Sequence, residues 1–322
     1  MMLLIFGPTV TGKTALAIDI AKKLNGEIIS ADSRQVYKGL DIGTGKVSFD
    51  TPSQKHSGYW IVDGIKIHGF DLVEPGQNFT AADFLKFAST TMRQIHQIGK
   101  LPIIVGGTGF YIKALTSGIK SIGIPKDQKL RRKLEKLSTQ NLYQQLLKLD
   151  LSRAKSINES DRQNPRRLIR AIEIATYKKY QGNTKYKILN TKYLIIGLTA
   201  PNAYLYQRAD NWLDQRLQKG MIDEVKNLLE KKVNPKWLDG LGLEYRWWTR
   251  YLTGQIKKYQ ARERLRGDIH NFIRHQKTWF KQFENISIFD ISKPDWRHQL
   301  EKTIKDWYDT YRQWAKKSNP SE

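Results

Sequence analysis

The sequence predicts an α/β fold in which a parallel sheet forms the core, a basic helical domain is inserted into that core, and helices follow in the C-terminal part. Three observations support this prediction. Short apolar runs alternate with helical stretches before about residue 120, positive charge rises after residue 125, and a strand-like run returns near residue 193. A chain of 322 residues has room for one large domain or two modest ones.

The first part of the chain alternates between two kinds of apolar pattern. The runs Leu3–Phe6, Glu27–Ala31 and Pro102–Val105 are typical of buried strands, and helical spacing is present at about 14–24 and 81–98. Strands that are separated by helices pair in parallel, because the chain must cross over to the same end of the sheet. We therefore expect a parallel sheet with helical crossovers.

The middle of the chain changes character. From Pro125 to about Lys179 the apolar spacing is helical, whereas Tyr193–Leu198 is typical of one more strand. The return of a strand after a long helical segment indicates an insertion. We therefore expect a core formed by residues 1–125 and 191–322, which includes the C-terminal helices, and a helical insertion domain at 126–190.

The positive charge is unevenly distributed. The chain has 55 Lys and Arg against 31 Asp and Glu, a net charge of +24. Residues 1–125 contain 13 basic and 9 acidic residues, residues 126–192 contain 18 and 6, and residues 257–281 contain 8 and 2. Solvated helix faces are one explanation, but such segregation favours binding of a polyanion, in particular a nucleic acid.

Several classes of protein are excluded by composition. The chain has no cysteine, which removes disulfides, thiolate catalysis and cysteine-based metal sites, and its six histidines are scattered. No apolar run approaches the roughly 20 residues of a membrane span. The apolar start at Met1–Phe6 lacks a basic region and enters a glycine-rich loop, so it does not resemble a signal peptide. We expect a cytoplasmic protein that does not bind membranes.

A phosphate-binding motif follows the first predicted strand and opens the first predicted helix, which predicts a P-loop NTPase-like core. Its glycines allow backbone N–H groups to surround a phosphate, its lysine adds a cation, and the hydroxyl of its last threonine can ligate Mg²⁺, the expected cofactor. By motif alone it would be assigned to ATP binding. The expected diphosphate-binding residues are Gly7, Pro8, Thr9, Val10, Thr11, Gly12, Lys13 and Thr14, with Thr14 as the metal ligand.

The carboxylate that kinases and ATPases use to hold Mg²⁺ is missing from its usual place. The strand Pro102–Val105 runs into Gly106-Gly107-Thr108-Gly109, with no acidic residue. Asp32 lies after the strand Glu27–Ala31 instead, at the edge of the sheet where the phosphate loop is expected. Asp32 has a second interpretation as a helix N-cap.

Longer stretches of the sequence resemble the tRNA dimethylallyltransferase family. They lie within about residues 3–283, and the run DSRQVYKGLDIGT is the most specific of them. These stretches are Gly7–Thr14, Asp32–Lys46, His68–Pro75, Pro102–Tyr111, Asn164–Glu173 and Gln276–Lys281.

The resemblance implies transfer of a dimethylallyl group from dimethylallyl diphosphate to N6 of adenine 37 in tRNA, with release of diphosphate. It further implies that the phosphate loop binds this diphosphate and not ATP. The adenine amine is a poor nucleophile because its lone pair is delocalised, so attack requires a base. Asp32 is the candidate base, and the resemblance adds Thr108 and Thr9 as residues of the reaction channel.

The resemblance also implies where tRNA binds. The target base must leave its stack to reach the chemistry, and in the family the helical insertion grips the anticodon stem. The expected tRNA-binding residues are Asp32, Ser33, Arg34 and Gln35 in the core, and Arg166, Arg167, Leu168, Ile169 and Arg170 in the insertion. We expect the protein to act as a monomer.

The sequence departs from the family pattern at three places. One is the basic run before the Gln-x-Thr-Trp segment, which is thinned here to Phe272-Ile273-Arg274-His275. Trp212 occupies a position where a second arginine is expected four residues after Arg208, and Arg216 lies one turn further along. Gly242-Leu243-Glu244-Tyr245-Arg246 replaces a glycine–aromatic–lysine–glutamate sequence. A nucleotide kinase, an adenylate isopentenyltransferase and a non-catalytic RNA-binding protein remain as alternatives. The large basic insertion argues against the first two, and the intact phosphate loop beside Asp32 argues against the third.

Overall fold

The computed structural model describes residues 1–48, 51–118, 121–181 and 192–318. The chain divides into a core unit, Met1–Thr116 with Leu189–Glu322, and an insertion unit, Ser117–Ile188. The predicted boundary between the end of the insertion domain at residue 190 and the return to the core at residue 191 lies outside the described residues. Over the described ranges, no helix is both long and apolar enough to cross a membrane.

The core unit is built on one eight-stranded sheet, with the order β3-β4-β5-β2-β6-β1-β7-β8. Strand β4 runs antiparallel to β3 and β5, and all other neighbouring strands are parallel. The strands are β1 (Met2–Phe6), β2 (Gly26–Ser30), β3 (Ser53–His56), β4 (Tyr59–Val62), β5 (Ile65–His68), β6 (Leu101–Gly106), β7 (Tyr193–Thr199) and β8 (Ile286–Asp290).

Helices cover this sheet, and the part of the core unit that follows β7 is mainly helical. Their apolar faces join the central strands in one hydrophobic core, to which Leu3, Ile103 and Ile196 belong. The helices are α1 (Lys13–Lys23), α2 (Ala81–Gln97), α3 (Gly109–Thr116), α9 (Asn202–Gln218), α10 (Met221–Glu230), α11 (Pro235–Leu241), α12 (Leu243–Leu252), α13 (Lys258–Thr278) and α14 (Trp296–Ser318), with a 3₁₀ turn at Trp279–Gln282.

The structure confirms the predicted parallel α/β core and adds four strands to it. The predicted strands are β1, β2, β6 and β7, and the first two predicted helices are α1 and α2. Strands β3, β4, β5 and β8 were not predicted. Every residue of β3 is exposed, and none of the other three strands is buried along its whole length, so they lack the buried apolar run on which the prediction depends.

The insertion unit has a hydrophobic core of its own, in which Leu142, Leu146 and Leu168 are fully buried. A buried carboxylate, Glu173, accepts hydrogen bonds from Nε and Nη2 of Arg131 at 2.6 and 2.7 Å. The helices of this unit are α4 (Gln128–Leu134), α5 (Thr139–Leu149), α6 (Leu151–Ser156), α7 (Glu159–Arg162) and α8 (Pro165–Gln181).

Strand order places three chain segments at one edge of the sheet. Strands β2, β6 and β1 are neighbours and run in parallel, so the loops that follow them leave from the same edge. These loops are the phosphate loop, residues 7–14; the aspartate loop, residues 31–35; and the threonine loop, residues 106–109. All three contain expected site residues.

Candidate active site

A cleft opens in the core unit where these three loops meet. Its walls also include residues 43–48 and side chains from α9 and α13. Five phosphate-loop residues line it, and so do all of Asp32, Ser33, Arg34 and Gln35, together with Thr108. The cleft is therefore lined by every core residue expected at the site except Gly7, Pro8 and Thr11 of the phosphate loop.

The phosphate loop is fixed in a strained conformation. Val10 adopts a positive φ of 60°, which is unfavourable for a β-branched residue and costs about 1–3 kcal/mol. Nε of Arg208 donates to the Val10 carbonyl at 2.9 Å, and the Thr11 hydroxyl donates to the Pro8 carbonyl at 2.8 Å. Helix α1 begins at Lys13, so its free N–H groups point into the loop, where an anion is stabilised.

Lys13 supplies the cation of the loop. Its Nζ donates to the Pro8 carbonyl at 2.6 Å, which holds the ammonium over the loop. Burial lowers the pKa of Lys13 from 10.5 to about 8, against the negative charge of Asp32, which raises it. Lys13 is therefore close enough to Asp32 to sense its charge, and it is desolvated enough to gain from an anionic ligand.

Asp32 caps a turn and not a helix. Its Oδ1 accepts the backbone N–H of Arg34 at 2.9 Å, and residues 33–36 form turns with no helix after them. No hydrogen bond engages Oδ2 of Asp32 among the described residues. The helix N-cap interpretation is therefore wrong, and one carboxylate oxygen is available to a ligand in the cleft.

Thr108 lies beside Asp32 through a contact between their loops. The backbone N–H of Ser33 donates to Oγ1 of Thr108 at 3.3 Å. Because the hydroxyl oxygen accepts this bond, its own proton is available to another acceptor. Thr108 is thus positioned next to the candidate base.

Arg34 and Gln35 differ in how free their side chains are. The Arg34 guanidinium lies 5.8 Å from the ring centre of Phe272, on the cleft wall. The Gln35 amide is already engaged, since its Nε2 donates to the carbonyls of Thr44 and Gly45 at 3.3 and 3.2 Å and its Oε1 accepts from Ser30. Gln35 therefore supports the cleft wall in this structure.

The wall segment 41–45 is held by a carboxylate that the sequence did not indicate. Glu224 accepts three successive backbone N–H groups, those of Asp41, Ile42 and Gly43, at 2.8, 2.6 and 3.0 Å. It also accepts the Tyr245 hydroxyl at 2.8 Å. Glu224 lies in the first turn of α10, where an acidic residue is ordinary, so no local pattern distinguishes it.

Arg216, one helical turn after Trp212, contacts the cleft wall. Nη1 of Arg216 donates to the Gly43 carbonyl at 2.6 Å, and its guanidinium lies 3.2 Å from the Trp212 ring centre. Burial lowers the pKa of Arg216 to about 10. Arg216 is thus directed to the cleft wall, and it is Arg208 that contacts the phosphate loop.

Glu244 belongs to the segment 242–246, which departs from the family pattern, and it faces Arg216. It is buried, and its Oε1 lies 3.6 Å from Nη1 of Arg216. Burial raises the pKa of Glu244, although Arg216 and Arg34 oppose this effect. Arg216 and Glu244 therefore form a buried pair on the cleft wall, where Trp212 packs against the same guanidinium.

The five residues expected to bind tRNA in the insertion have different environments. Arg166 is exposed and has no ion-pair partner among the described residues, whereas Arg167 pairs with Asp161. Arg170 donates to the carbonyls of Ser121 and Ile124 at 3.0 and 2.7 Å, and it also pairs with Glu173.

Two of the five are core residues. Leu168 and Ile169 are 0% and 5% exposed, within the hydrophobic core of the insertion unit. Their side chains therefore form no RNA-contacting surface, which corrects the expectation for both. Helical spacing explains this result, because the arginines flank an apolar stripe on α8.

The cleft could hold Mg²⁺ with a bound diphosphate. No group of three or more acidic or histidine ligands occurs in the described parts of the chain. Mg²⁺ needs no such cage, because it commonly uses one or two protein oxygens together with phosphate oxygens and water. The Thr14 hydroxyl lines the cleft and matches that donor set.

A family model and two similar relatives indicate the same protein family. The IPP transferase family model matches residues 35–283. A tRNA dimethylallyltransferase from Caldanaerobacter subterraneus subsp. tengcongensis is 34% identical, over 95% of this chain and 96% of the relative. One from Acetivibrio thermocellus is 35% identical, over 96% and 98%.

Solved structures agree with this result. A full-length tRNA isopentenylpyrophosphate transferase from Bacillus halodurans superposes with a TM-score of 0.70 at 31% identity, over 98% of both chains. A eukaryotic dimethylallyltransferase that acts on tRNA shares the fold, with a TM-score of 0.74 at 23% identity over 96% of this chain and 79% of that one. The chain therefore belongs to the IPP transferase family, that of the tRNA dimethylallyltransferases.

Proposed function

We propose that this chain transfers a dimethylallyl group from dimethylallyl diphosphate to N6 of adenine 37 in tRNA, giving N6-dimethylallyladenosine and diphosphate. The observation that carries the proposal is the cleft in which a complete phosphate loop lies beside an aspartate with one free oxygen. The family relatives support the same reaction class.

The phosphate loop would bind the leaving group. As the C–O bond to the dimethylallyl group breaks, negative charge accumulates on the diphosphate, where Lys13 and the N-terminus of α1 can stabilise it. Mg²⁺, held by the Thr14 hydroxyl and the diphosphate oxygens, would neutralise further charge when bound. Arg208 fixes the loop through the Val10 carbonyl, so the donors need little reorganisation during the reaction.

Asp32 would accept the proton from N6 as the new C–N bond forms. Its Oδ1 is held by the Arg34 N–H, and this leaves Oδ2 for the substrate. Ser33 and Arg34 line the cleft next to it, where they could contact the extruded adenosine. Thr108 has an available hydroxyl proton, with which it would orient the extruded adenosine.

The tRNA partner accounts for the distribution of charge. Arg166 is an exposed cation of the insertion unit, and residues 257–281 of the core unit contain 8 basic and 2 acidic residues. Such surfaces bind phosphates through counterion release. We further infer that the insertion grips the anticodon stem and that the enzyme works as a monomer in the cytoplasm.

Labelled dimethylallyl diphosphate tests the function directly. With Mg²⁺ and unmodified tRNA, we expect label in tRNA at adenine 37, no label in AMP, and no ADP formed from added ATP. The physical reason is that the site offers a base and a diphosphate loop without a second phosphoryl-transfer carboxylate. Stoichiometric release of ADP would instead identify a kinase.

Replacement of Asp32 by asparagine tests the base. Asparagine can still accept the Arg34 N–H but cannot take a proton, so single-turnover transfer should slow by about 10²–10⁴-fold while the melting temperature is kept. The matched control is Glu74→Gln, the same change at an exposed carboxylate paired with Lys38. A rate within threefold of the parent in Asp32→Asn would remove Asp32 from catalysis.

The lowered pKa of Lys13 predicts a pH dependence of diphosphate binding. Below about pH 8 the free protein carries the ammonium, and above it the charge is lost, so affinity for inorganic diphosphate should fall as pH rises through 8. The measurement is calorimetric titration from pH 6 to 10, expressed as the ratio of parent to Lys13→Ala, which cancels the titration of the ligand. A ratio that is constant with pH contradicts the assignment.

Arg166 and Arg170 should respond differently to glutamine. Arg166→Gln should keep the melting temperature, weaken tRNA binding, and reduce the slope of log affinity against log salt by about one unit. Arg170→Gln should lower the melting temperature, because it removes the bonds to Ser121, Ile124 and Glu173. Thermal melts and filter binding over a salt series measure both, and an unchanged slope for Arg166→Gln would make it a solvated surface charge.

A further inference from the structure

One buried side chain connects two of the active-site loops and has no part in the proposed chemistry. Gln276 lies on α13 and is 4% exposed. Its Oε1 accepts the backbone N–H of Thr9 at 2.9 Å, and its Nε2 donates to the Gly107 carbonyl at 3.0 Å. The phosphate loop and the threonine loop are thus joined through a residue far along the chain.

This connection is the main polar link between the two loops. Their strands remain paired up to Phe6 and Gly106, and beyond that pair no other hydrogen bond joins them in the described parts of the chain. The fit is close, since a Cβ on Gly107 would lie 2.3 Å from Nε2 of Gln276. A shift of the amide would therefore be transmitted to both loops.

We propose that Gln276 is a positioning residue that sets the placement of Thr108 and the phosphate loop relative to each other. Its bond to the Gly107 carbonyl fixes the peptide that precedes Thr108, whose hydroxyl accepts from Ser33 next to Asp32. Its bond to the Thr9 N–H fixes the loop that would bind the diphosphate. The candidate base and the diphosphate are thereby held at a fixed position relative to each other. This inference rests on the proposed function.

The chemistry of the link requires one acceptor and one donor at a fixed spacing, which a primary amide provides. An ionised carboxylate only accepts, so it would lose the Gly107 bond. A protonated carboxylic acid has one carbonyl oxygen and one O–H, and it can make both bonds. Glutamate at this position is therefore active in one protonation state and impaired in the other.

The test uses Gln276→Met and Gln276→Glu, with single-turnover transfer measured from pH 5 to 9 as a ratio to the parent. The ratio cancels any pH dependence that the parent and the variant share. We expect Gln276→Met to be slower by about 10- to 100-fold at every pH, with tRNA affinity within twofold of the parent. Gln276→Glu should match it at high pH and approach the parent as pH falls, because burial favours the protonated acid.

Gln282→Glu is the matched control, since it makes the same change at an exposed glutamine six residues away that accepts from Lys113. Its ratio should not vary with pH. The inference is overturned if Gln276→Met stays within threefold of the parent, or if the ratio for Gln276→Glu is flat with pH. If Gln276→Met does not fold, the pH profile of Gln276→Glu decides alone, and an inactive parent would refute the proposed function separately.

Discussion

The candidate active site depends on the parallel alignment of β2, β6 and β1. Because these neighbouring strands end at one edge of the sheet, the phosphate loop, the aspartate loop and the threonine loop must leave the core side by side. Antiparallel pairing at either junction would send one of the loops to the opposite edge. The hydrophobic burial of the strands thus determines where the polar residues meet, and side chains from α9, α10 and α13 adjust their final positions.

Much of this arrangement could be predicted from local patterns. The runs that became β1, β2, β6 and β7 are short, apolar and fully or largely buried, so periodicity identifies them. Asp32 was placed correctly at the sheet edge, because a residue after a parallel strand can lie nowhere else. Its turn was not predicted, since one aspartate after a strand fits a helix cap equally well.

The supporting contacts could not be predicted in the same way. Gln276 and Thr9 are 267 positions apart, and Glu224 and Ile42 are 182 apart. Each contact forms only after several helices have packed, and neither residue type is unusual in its own helix. Charge counting has a similar limit, because it treats Arg166 and Arg170 alike although the first is exposed and the second is bonded within its own unit. The net charge of the insertion therefore overstates the number of cations that an RNA would meet.

The packing of Arg216 against the cleft wall adds a second constraint on position 45. A Cβ on Gly45 would lie 1.9 Å from Nη2 of Arg216, whose side chain is buried and bonded to the Gly43 carbonyl. Gly45 also has a φ of 58°, a backbone conformation that favours glycine even where space is available. A side chain at position 45 would therefore strain the backbone and displace the guanidinium at once, so one substitution there would disturb both the turn and the buried arginine that supports it.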